Sequence, residues 1–411
     1  MPETLDHGKS ESASGQNGAR VSIVRADDYD LPRLVPMVQR SIELIGGLET
    51  IIKPGDRVFV KINHLPPPSP PERGIVTHPV FAEAVLELLK KSGAEITVGD
   101  EIETAPVDGF STSGFRQMCQ RAGVRLINLR EEGFVARECH GLLLKEVYLS
   151  RAALEADVIV NLPKLKTHSL TVFTGGIKNM YGTIPGSLRR RLHGEYPDSE
   201  DFSRMLTDIF SVIRPQLTLM DGIVAMEGEG PSAGSVRKLG VILASRDAVA
   251  VDAVAAGIIG MDPMDIATTR YAHECGLGVG ILDSIEVVGE SIESVATSDF
   301  RLPASANRAL LRKIPAPLSR FAVGQLTVRP KVVEQQCTAC AECVRACPTG
   351  AITIHGKSAG VTGVASINRA ICIECMCCHE VCRFNAIVTG RTVIGSAVSL
   401  AADAVRKLLG K

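Results

Sequence analysis

Eight of the twelve cysteines lie near the C-terminus and form two copies of one spacing. In each copy, gaps of two, two and three residues separate the cysteines. The copies are Cys337, Cys340, Cys343 and Cys347, and then Cys372, Cys375, Cys378 and Cys382. Thiolates are soft, electron-donating ligands, and four of them satisfy the irons of a cubic iron-sulfur cluster. The spacing therefore predicts two [4Fe-4S] clusters, which carry single electrons.

The short gaps place three sulfurs of each copy on one tight loop, and the fourth cysteine reaches the other cluster. The predicted ligand sets are Cys337, Cys340, Cys343 and Cys382 for one cluster, and Cys372, Cys375, Cys378 and Cys347 for the other. Pro348 follows the first copy, whereas Arg383 stands at the corresponding position of the second. Cys377 is predicted to be a non-ligand, because only Cys378 preserves the spacing.

Residues 331–390 resemble the bacterial two-cluster ferredoxin in these cysteine motifs. The alternative is a pair of zinc sites. Structural zinc sites usually join two short Cys-x-x-Cys pairs across a longer stretch, which fits three closely spaced cysteines plus a fourth poorly.

The composition excludes several functions. A net charge of −1 provides no global field to recruit nucleic acid, and the absence of tryptophan argues against base-stacking surfaces. Cluster thiolates and scattered unpaired cysteines predict a reducing compartment, here the cytoplasm. The polar first residues show no signal peptide, and no apolar run is long enough to predict a transmembrane helix.

Apolar runs typical of strands alternate with helical patterns from about residue 20 to 300. Strands are predicted near 21–24, 58–62, 96–98, 124–129, 158–162, 217–220, 241–244 and 285–288. Helices are predicted near 31–45, 80–92, 202–213, 247–259 and 265–275. This order predicts an α/β fold with a mostly parallel sheet covered by helices, followed by a small α+β ferredoxin-like domain.

The predicted segments are a disordered tail (1–19), an α/β domain (20–300), a linker (301–330), the two-cluster domain (331–390) and a C-terminal helix (391–411). Ligands of such a sheet bind in loops at the carboxyl ends of its strands.

The densest polar loop is predicted directly after the strand at 158–162. Lys164, Lys166 and His168 place cations at the sheet edge, and Lys178 and Asn179 follow. Gly175 and Gly176 permit close approach of a ligand, and their N–H groups could form an anion nest. We predict that Lys164, Lys166, Gly175, Gly176 and Asn179 bind an anionic ligand, with His168 and Lys178 in catalytic roles. The alternative is a solvated basic loop.

Two further loops are candidates. Residues 221–234 follow the strand at 217–220, and Glu227 is a predicted general acid or base there. A proline-rich stretch after residues 58–62 is predicted to form a rim over the site, with His64 in a structural role. Asp247 is a predicted N-cap, and Asp252 could pair with the basic loop. The chain has no readable nicotinamide motif, and the use of a flavin or a divalent cation stays open.

Several segments together resemble a known family. They include PKLKTH at 163–168, TGGIKNMYG at 174–182 and DGIVAMEGEGPSAG at 221–234. With them the chain resembles proteins of the domain of unknown function 362 family, in the subgroup fused to a C-terminal two-cluster ferredoxin module. The resemblance implies an iron-sulfur protein of anaerobic or redox metabolism, and the family supplies no settled reaction.

The first functional hypothesis is a ferredoxin-dependent oxidoreductase. It would take electrons from a redox partner protein and reduce an anionic small molecule bound in the α/β domain. One alternative is a non-enzymatic electron carrier or assembly protein. Another is a non-redox enzyme whose clusters serve structure or sensing.

Overall fold

A computed structural model describes residues 19–102, 107–307, 329–356 and 363–390. The predicted tail lies outside these residues except for Ala19, which begins the first strand. The predicted C-terminal helix (391–411) lies wholly outside them, as do residues 308–328 of the predicted linker. The boundaries of these segments stay predictions.

The described residues form sixteen strands. In chain order they are β1 (Ala19–Arg25), β2 (Arg57–Ile62), β3 (Glu95–Asp100), β4 (Arg125–Asn128), β5 (Phe134–Glu138), β6 (Glu146–Ser150), β7 (Val158–Leu162), β8 (Lys164–His168), β9 (Val172–Thr174), β10 (Leu217–Glu227), β11 (Ser235–Ser245), β12 (Ile285–Gly289), β13 (Arg329–Val332), β14 (Ile352–His355), β15 (Val364–Ile367) and β16 (Ile387–Gly390).

The α-helices of the described residues follow the same chain order. They are α1 (Leu31–Glu43), α2 (Pro79–Lys91), α3 (Gly109–Thr112), α4 (Phe115–Ala122), α5 (Leu129–Glu132), α6 (Arg151–Glu155), α7 (Gly176–Asn179), α8 (Gly186–Glu195), α9 (Ser199–Val212), α10 (Ala248–Ile258), α11 (Ala267–Glu274), α12 (Ile292–Val295), α13 (Glu342–Ala346) and α14 (Cys377–Glu380). Aspartates cap the longer helices, because a carboxylate accepts from the free N–H groups of the first turn. Asp30, Asp198 and Asp247 do so for α1, α9 and α10, and the predicted N-cap at Asp247 is confirmed.

Ten strands form one sheet in the order β12-β1-β11-β10-β7-β2-β3-β4, with β8 paired to β10 and β9 paired to β8. From β10 to β4 all neighbours are parallel, whereas β11 is antiparallel to both of its neighbours. The predicted α/β class with a mostly parallel sheet is confirmed. Since parallel strands end at one edge, the residues that follow β2, β3 and β7 meet there.

Side-chain alternation along β2 assigns each residue to one face of the sheet. Val58, Val60 and Ile62 are buried in the core that includes α1, α2 and α4. Phe59 lies in the core on the opposite face, which includes residues of α9. With a period of two, Lys61 lies on the Phe59 face. The strand therefore places an ammonium group at the carboxyl edge of the sheet.

Two predicted loops are strands in the structure. The chain after Pro163 becomes extended again as β8, which pairs with β10 and β9. The strand predicted at 217–220 continues to Glu227, because Ile223 and Ala225 are buried and β10 pairs with β11 along its length. Lys164, Lys166, His168 and Glu227 are therefore held in the sheet, whereas Glu229 follows the end of β10.

The C-terminal cysteine region is small, and its described strands pair with one another and not with the ten-stranded sheet. Strand β13 pairs antiparallel with β16, and β14 pairs antiparallel with β15. Helices α13 and α14 lie within the two cysteine motifs. Cys343, Cys378 and Cys382 are part of its core, together with Ile352 and Ile387.

Candidate functional site

The cysteines gather in the two predicted sets. Cys347, Cys372, Cys375 and Cys378 line one small cleft, although Cys347 comes from the other sequence motif. Burial, followed by the charges of Cys340, Cys382 and Cys337, raises the pKa of the Cys343 thiol to about 11. These four cysteines are therefore neighbours. The exchange of the fourth cysteine between the motifs stays a prediction, which the position of Cys347 in the cleft of the second motif supports.

The two motifs repeat an unusual backbone conformation. Ala339 and Ala341 flank the second cysteine of the first motif, and both have positive φ angles, 56° and 62°. Glu374 and Met376 take the same places in the second motif, with φ of 59° and 63°. Non-glycine residues rarely adopt this conformation, and it persists where function requires it. The repeated loop geometry fits two equivalent clusters.

Backbone N–H groups also face the sulfurs. Ala351 N–H donates to Cys347 Sγ at 3.2 Å, and Ala386 N–H donates to Cys382 Sγ at the same distance. Such hydrogen bonds favour the thiolate and tune the potential of a cluster. Among the described residues, no group of three or more His, Cys, Asp or Glu side chains is arranged so that it could hold a metal ion.

A cavity of about 1000 Å³ lies between the sheet edge and the cysteine region. Its walls include Lys61 at the end of β2, Lys166 of β8 and Lys178 of α7. Helices α13 and α14 close it from the side of the cysteine motifs. The proline-rich stretch at 66–68 also lines it, as predicted from the sequence. Cys377 lines both this cavity and the cleft of the second cysteine set.

Most charges around the cavity are already paired. Lys61 Nζ lies 2.7 Å from Asp100 Oδ2, and Glu101 pairs with both Arg130 and Arg189. These ion pairs fix the wall and leave little free charge for a ligand.

Among the buried or partly buried cations of the described cavity wall, Lys166 and Lys178 form no ion pair. Lys166 Nζ donates to Asn63 Oδ1 at 2.8 Å and to the Ile75 carbonyl at 2.7 Å. Lys178 Nζ lies 5.8 Å from the centroid of the Tyr181 ring. Within the described residues neither ammonium group forms an ion pair with a carboxylate. Burial lowers the pKa of both, and for Lys166 the charge of Lys178 lowers it further.

Lys164 lies elsewhere. Its Nζ is 2.8 Å from Asp221 Oδ2 and 2.8 Å from the Tyr29 hydroxyl, and neither Lys164 nor Asp221 lines the cavity. The amino group is buried and its charge is met inside the protein. The structure therefore places Lys164 in an internal ion pair, away from the position expected of an anion-binding residue.

The backbone from Gly175 to Ile177 holds a carboxylate of the protein itself. The N–H groups of Gly176 and Ile177 donate to Asp252 at 2.5 and 3.1 Å. A side chain at position 175 would collide with Asp252, since a Cβ there would lie 2.1 Å from Oδ1. An anion nest is thus formed by Gly176 and Ile177 rather than by the predicted pair Gly175 and Gly176, and Asp252 fills it in place of an external ligand. Its effect is to fix the start of α7, which carries Lys178 and Asn179.

His168 contacts the second cysteine motif. Its Nδ1 accepts from the N–H groups of Leu170 and Thr171, so a neutral ring carries its proton on Nε2. That nitrogen lies 3.3 Å from Glu380 Oε1 of α14. Burial, then Lys178 and His193, lowers the pKa of His168 well below its usual range. His168 therefore lies behind Glu380, which itself lines the cavity.

Glu227 lies at the end of β10 and accepts from Arg301. The Arg301 Nε lies 2.8 Å from Oε1, and the Arg301 backbone N–H donates to Oε2 at 3.1 Å. Glu227 is not part of the cavity wall. A catalytic role for Glu227 stays a prediction, with no support from its position.

Three contacts hold the cysteine region against the sheet. Ser232 donates to the Glu380 carbonyl at 2.6 Å, and His379 Nε2 lies 3.1 Å from the Glu229 carbonyl. Gly194 of α8 approaches Pro348 so closely that an added Cβ would lie 3.2 Å from it. The cavity therefore lies at an interface with defined polar contacts.

Two residues near the cavity could not be identified from sequence motifs. Glu380 stands between two predicted cysteine ligands, and the cluster spacing assigns it no role. Asn161 is a polar residue in the otherwise apolar strand β7, and it is fully buried. An amide inside a buried strand signals a hydrogen-bond network, because an unpaired amide there is costly.

Among the described residues, none of the helices has the length and apolar character needed to cross a membrane. All twelve cysteines lie within these residues, and none is bonded to another.

Residues 58–257 match the domain of unknown function DUF362, and residues 336–386 match the 4Fe-4S dicluster domain. A thylakoid-associated protein of Synechocystis sp. is 33% identical over 259 residues, which cover 62% of this chain and 79% of that protein.

Two solved structures are similar to part of this chain. One is the lactate racemase apoprotein from Thermoanaerobacterium thermosaccharolyticum, with 13% identity and a TM-score of 0.38 over 56% of this chain and 54% of that chain. The other is a Thermotoga maritima protein, with 14% identity and a TM-score of 0.35 over 55% of this chain and 57% of that one. The chain spans little more than half of the length of either. On the domain matches and the identity to the cyanobacterial relative, this chain belongs to the DUF362 family and carries a C-terminal 4Fe-4S dicluster domain.

Proposed function

We propose that this protein is an iron-sulfur oxidoreductase that reduces an anionic small molecule held in the cavity between its two regions. The position of Cys377 supports this most directly, because the residue lines both the cavity and the cleft of the second cysteine set. A molecule in the cavity would then lie close to the cysteines that would hold the second cluster.

Lys166 and Lys178 are the proposed anion-binding residues. Lys166 is buried and Lys178 is partly buried, and neither has a carboxylate in ion-pair contact among the described residues. Unpaired ammonium groups are costly to bury, and an anion that enters between them offsets this cost. The paired cations Lys61 and Arg189 hold the wall in place.

Lys178 is also the proposed proton donor. Burial lowers the pKa of its ammonium group, which makes it a stronger acid than an exposed lysine. Reduction of a carbonyl or carbon-carbon double bond takes up two electrons and two protons. Lys178 would give one proton, and water that reaches the open cavity would give the other. When bound, the clusters would supply the electrons one at a time.

A redox partner protein is the proposed source of those electrons. Cys340 of the first set is exposed, whereas Cys375 and Cys378 of the second set are buried. A partner would therefore approach from the side of Cys340. The unpaired cysteines support a reducing compartment, and the cytoplasm stays the proposed location.

The test is substrate-dependent reoxidation. The protein is purified without oxygen and reduced with dithionite, and its visible absorbance is followed as small carboxylates and phosphates are added. A substrate restores the oxidised spectrum and yields a reduced product. Lys178→Ala should abolish that reoxidation and leave the cluster spectrum intact, whereas Lys53→Ala, an exposed lysine, should change neither.

Two outcomes would reject the proposal. Reoxidation by another protein alone, with no small molecule effective, would identify an electron carrier. Turnover of a compound at the same rate with oxidised and reduced clusters would identify a non-redox enzyme.

A further inference from the structure

The cavity wall carries hydrogen-bond acceptors as well as cations. Asn179 Oδ1 and His64 Nδ1 are buried and have no hydrogen-bond partner in the described residues. Both residues line the cavity. The hydrogen bonds on their other atoms determine whether each of these atoms accepts or donates.

A chain of two amides orients Asn179. The Gly176 carbonyl can only accept, so the side-chain nitrogen of Asn161 must face it, at 3.0 Å. Asn161 Oδ1 is then left to accept from Asn179 Nδ2, at 2.7 Å. The remaining atom of Asn179 is its oxygen, which can only accept. Because both amides are buried, neither can flip without leaving two like atoms face to face.

A serine orients His64 in the same way. Ser113 donates its hydroxyl proton to the Gly109 carbonyl at 2.9 Å, so its oxygen accepts from His64 Nε2 at 3.1 Å. The proton of the ring is therefore on Nε2, and Nδ1 is a bare acceptor. Burial lowers the pKa of His64 to about 4, so the ring stays neutral near neutral pH.

We infer that the cavity selects an anion that also carries hydroxyl or amino donors, over a plain carboxylate or dicarboxylate of equal charge. This rests on the proposed anion-binding function of the cavity. Lys166 and Lys178 attract the negative charge of the ligand. Asn179 and His64 are specificity-determining residues, because they accept hydrogen bonds from its hydroxyl or amino groups. A ligand without donors would cover both acceptors and leave them unpaired, and sites built to hydrogen-bond a ligand reject such analogues strongly.

Matched probes test this by calorimetry on the anaerobic holoprotein. Succinate, malate and tartrate share two carboxylates and differ in having no, one and two hydroxyl groups. Propionate and glycerate form a second pair with one carboxylate. We expect malate to bind at least about tenfold more tightly than succinate, and glycerate to exceed propionate similarly.

Substitutions assign the preference to its residues. Asn179→Ala should bring the malate-to-succinate ratio close to one and leave succinate binding nearly unchanged. His64→Ala is a second, independent variant with the same expected direction. Gln39→Ala removes an exposed amide of α1 and should leave the ratio as in the wild type. Lys178→Ala should weaken all five probes together, which a loss of donor recognition alone would not do.

The outcomes separate this inference from the proposed function. Equal binding of malate and succinate, both weakened by Lys178→Ala, would overturn the donor preference and retain the anion site. A preference that survives in both Asn179→Ala and His64→Ala would also overturn it. Binding that is indifferent to Lys178, or no binding of any probe at about 10 mM, would overturn the anion site as well.

Discussion

His168 Nε2 lies 3.3 Å from Glu380 Oε1, so a histidine of the DUF362 sheet meets a glutamate located between two cysteines of the dicluster domain. Both side chains are buried, and Glu380 is the described carboxylate whose charge acts on both Lys178 and Lys166. The dicluster domain thus contributes an anion to the cavity that the sheet lines with cations. This relationship makes the two regions parts of one site.

Removal of the Glu380 charge should strengthen anion binding. In Glu380→Gln the cavity retains Lys166 and Lys178 and loses the carboxylate that partly neutralises them. We expect malate to bind about tenfold more tightly, equivalent to about 1.4 kcal/mol. Calorimetry at low ionic strength measures this, with Glu334→Gln as an exposed control. Weaker malate binding in Glu380→Gln would indicate that the carboxylate acts by positioning the ligand instead.

Lys164 and Lys178 should differ in their effect on stability. Lys164→Met leaves Asp221 buried without its cation, and loss of one partner of a buried ion pair costs about 3–5 kcal/mol. Lys178 forms no described ion pair and is desolvated, so Lys178→Met should leave stability unchanged or raise it slightly. Thermal unfolding of the two variants measures the difference. An equal loss in both would show that Lys178 has a structural partner, and would weaken its assignment to ligand binding.

The strands and helices could be predicted from the sequence because buried faces repeat with periods of two and 3.6 residues. This periodicity predicts the sheet strands at 58–62 and 158–162 and the helix that begins after Asp247. The cluster cysteines were readable because metal ligation fixes their spacing. The partner of Lys164, Asp221, and the carboxylate in the glycine nest, Asp252, could not be predicted from the sequence. Both aspartates are distant in sequence, and only the strand order and helix packing bring them to their partners.

Asp252 should make the protein less stable as pH rises. Burial raises its pKa from 3.8 to about 7, so between these values the folded state holds a proton that the unfolded state has released. Stability falls with pH wherever the folded state binds more protons. The fall accumulates from about pH 4 to about pH 7 and amounts to about 4 kcal/mol for a shift of this size.

Asp252→Asn removes this titration. Relative to the wild type, the variant should gain stability steadily across the same pH window, whatever constant cost it bears for a lost backbone contact. Thermal unfolding from pH 4 to pH 8 measures the difference, and Asp283→Asn, on the surface, serves as the control. A difference that does not vary with pH would show that Asp252 is ionised throughout, held by the N–H groups of Gly176 and Ile177.

Substitutions of Cys377 and Cys347 should distinguish a cysteine that lines the cavity from a cysteine that binds a cluster. Cys347 lines the cleft of the second set, and its sulfur accepts from Ala351 N–H. Cys347→Ser should therefore lower the iron and acid-labile sulfide content. It should also remove one cluster signal from the electron paramagnetic resonance spectrum of the reduced protein. Cys377 lies beside the predicted ligand Cys378 and also lines the cavity, so Cys377→Ser should retain the full iron content. If Cys377→Ser lost iron while Cys378→Ser retained it, the register of the second motif would shift by one residue. The residue between the cavity and the cleft would then be a ligand, and a molecule in the cavity would lie directly against the thiolate that holds the iron.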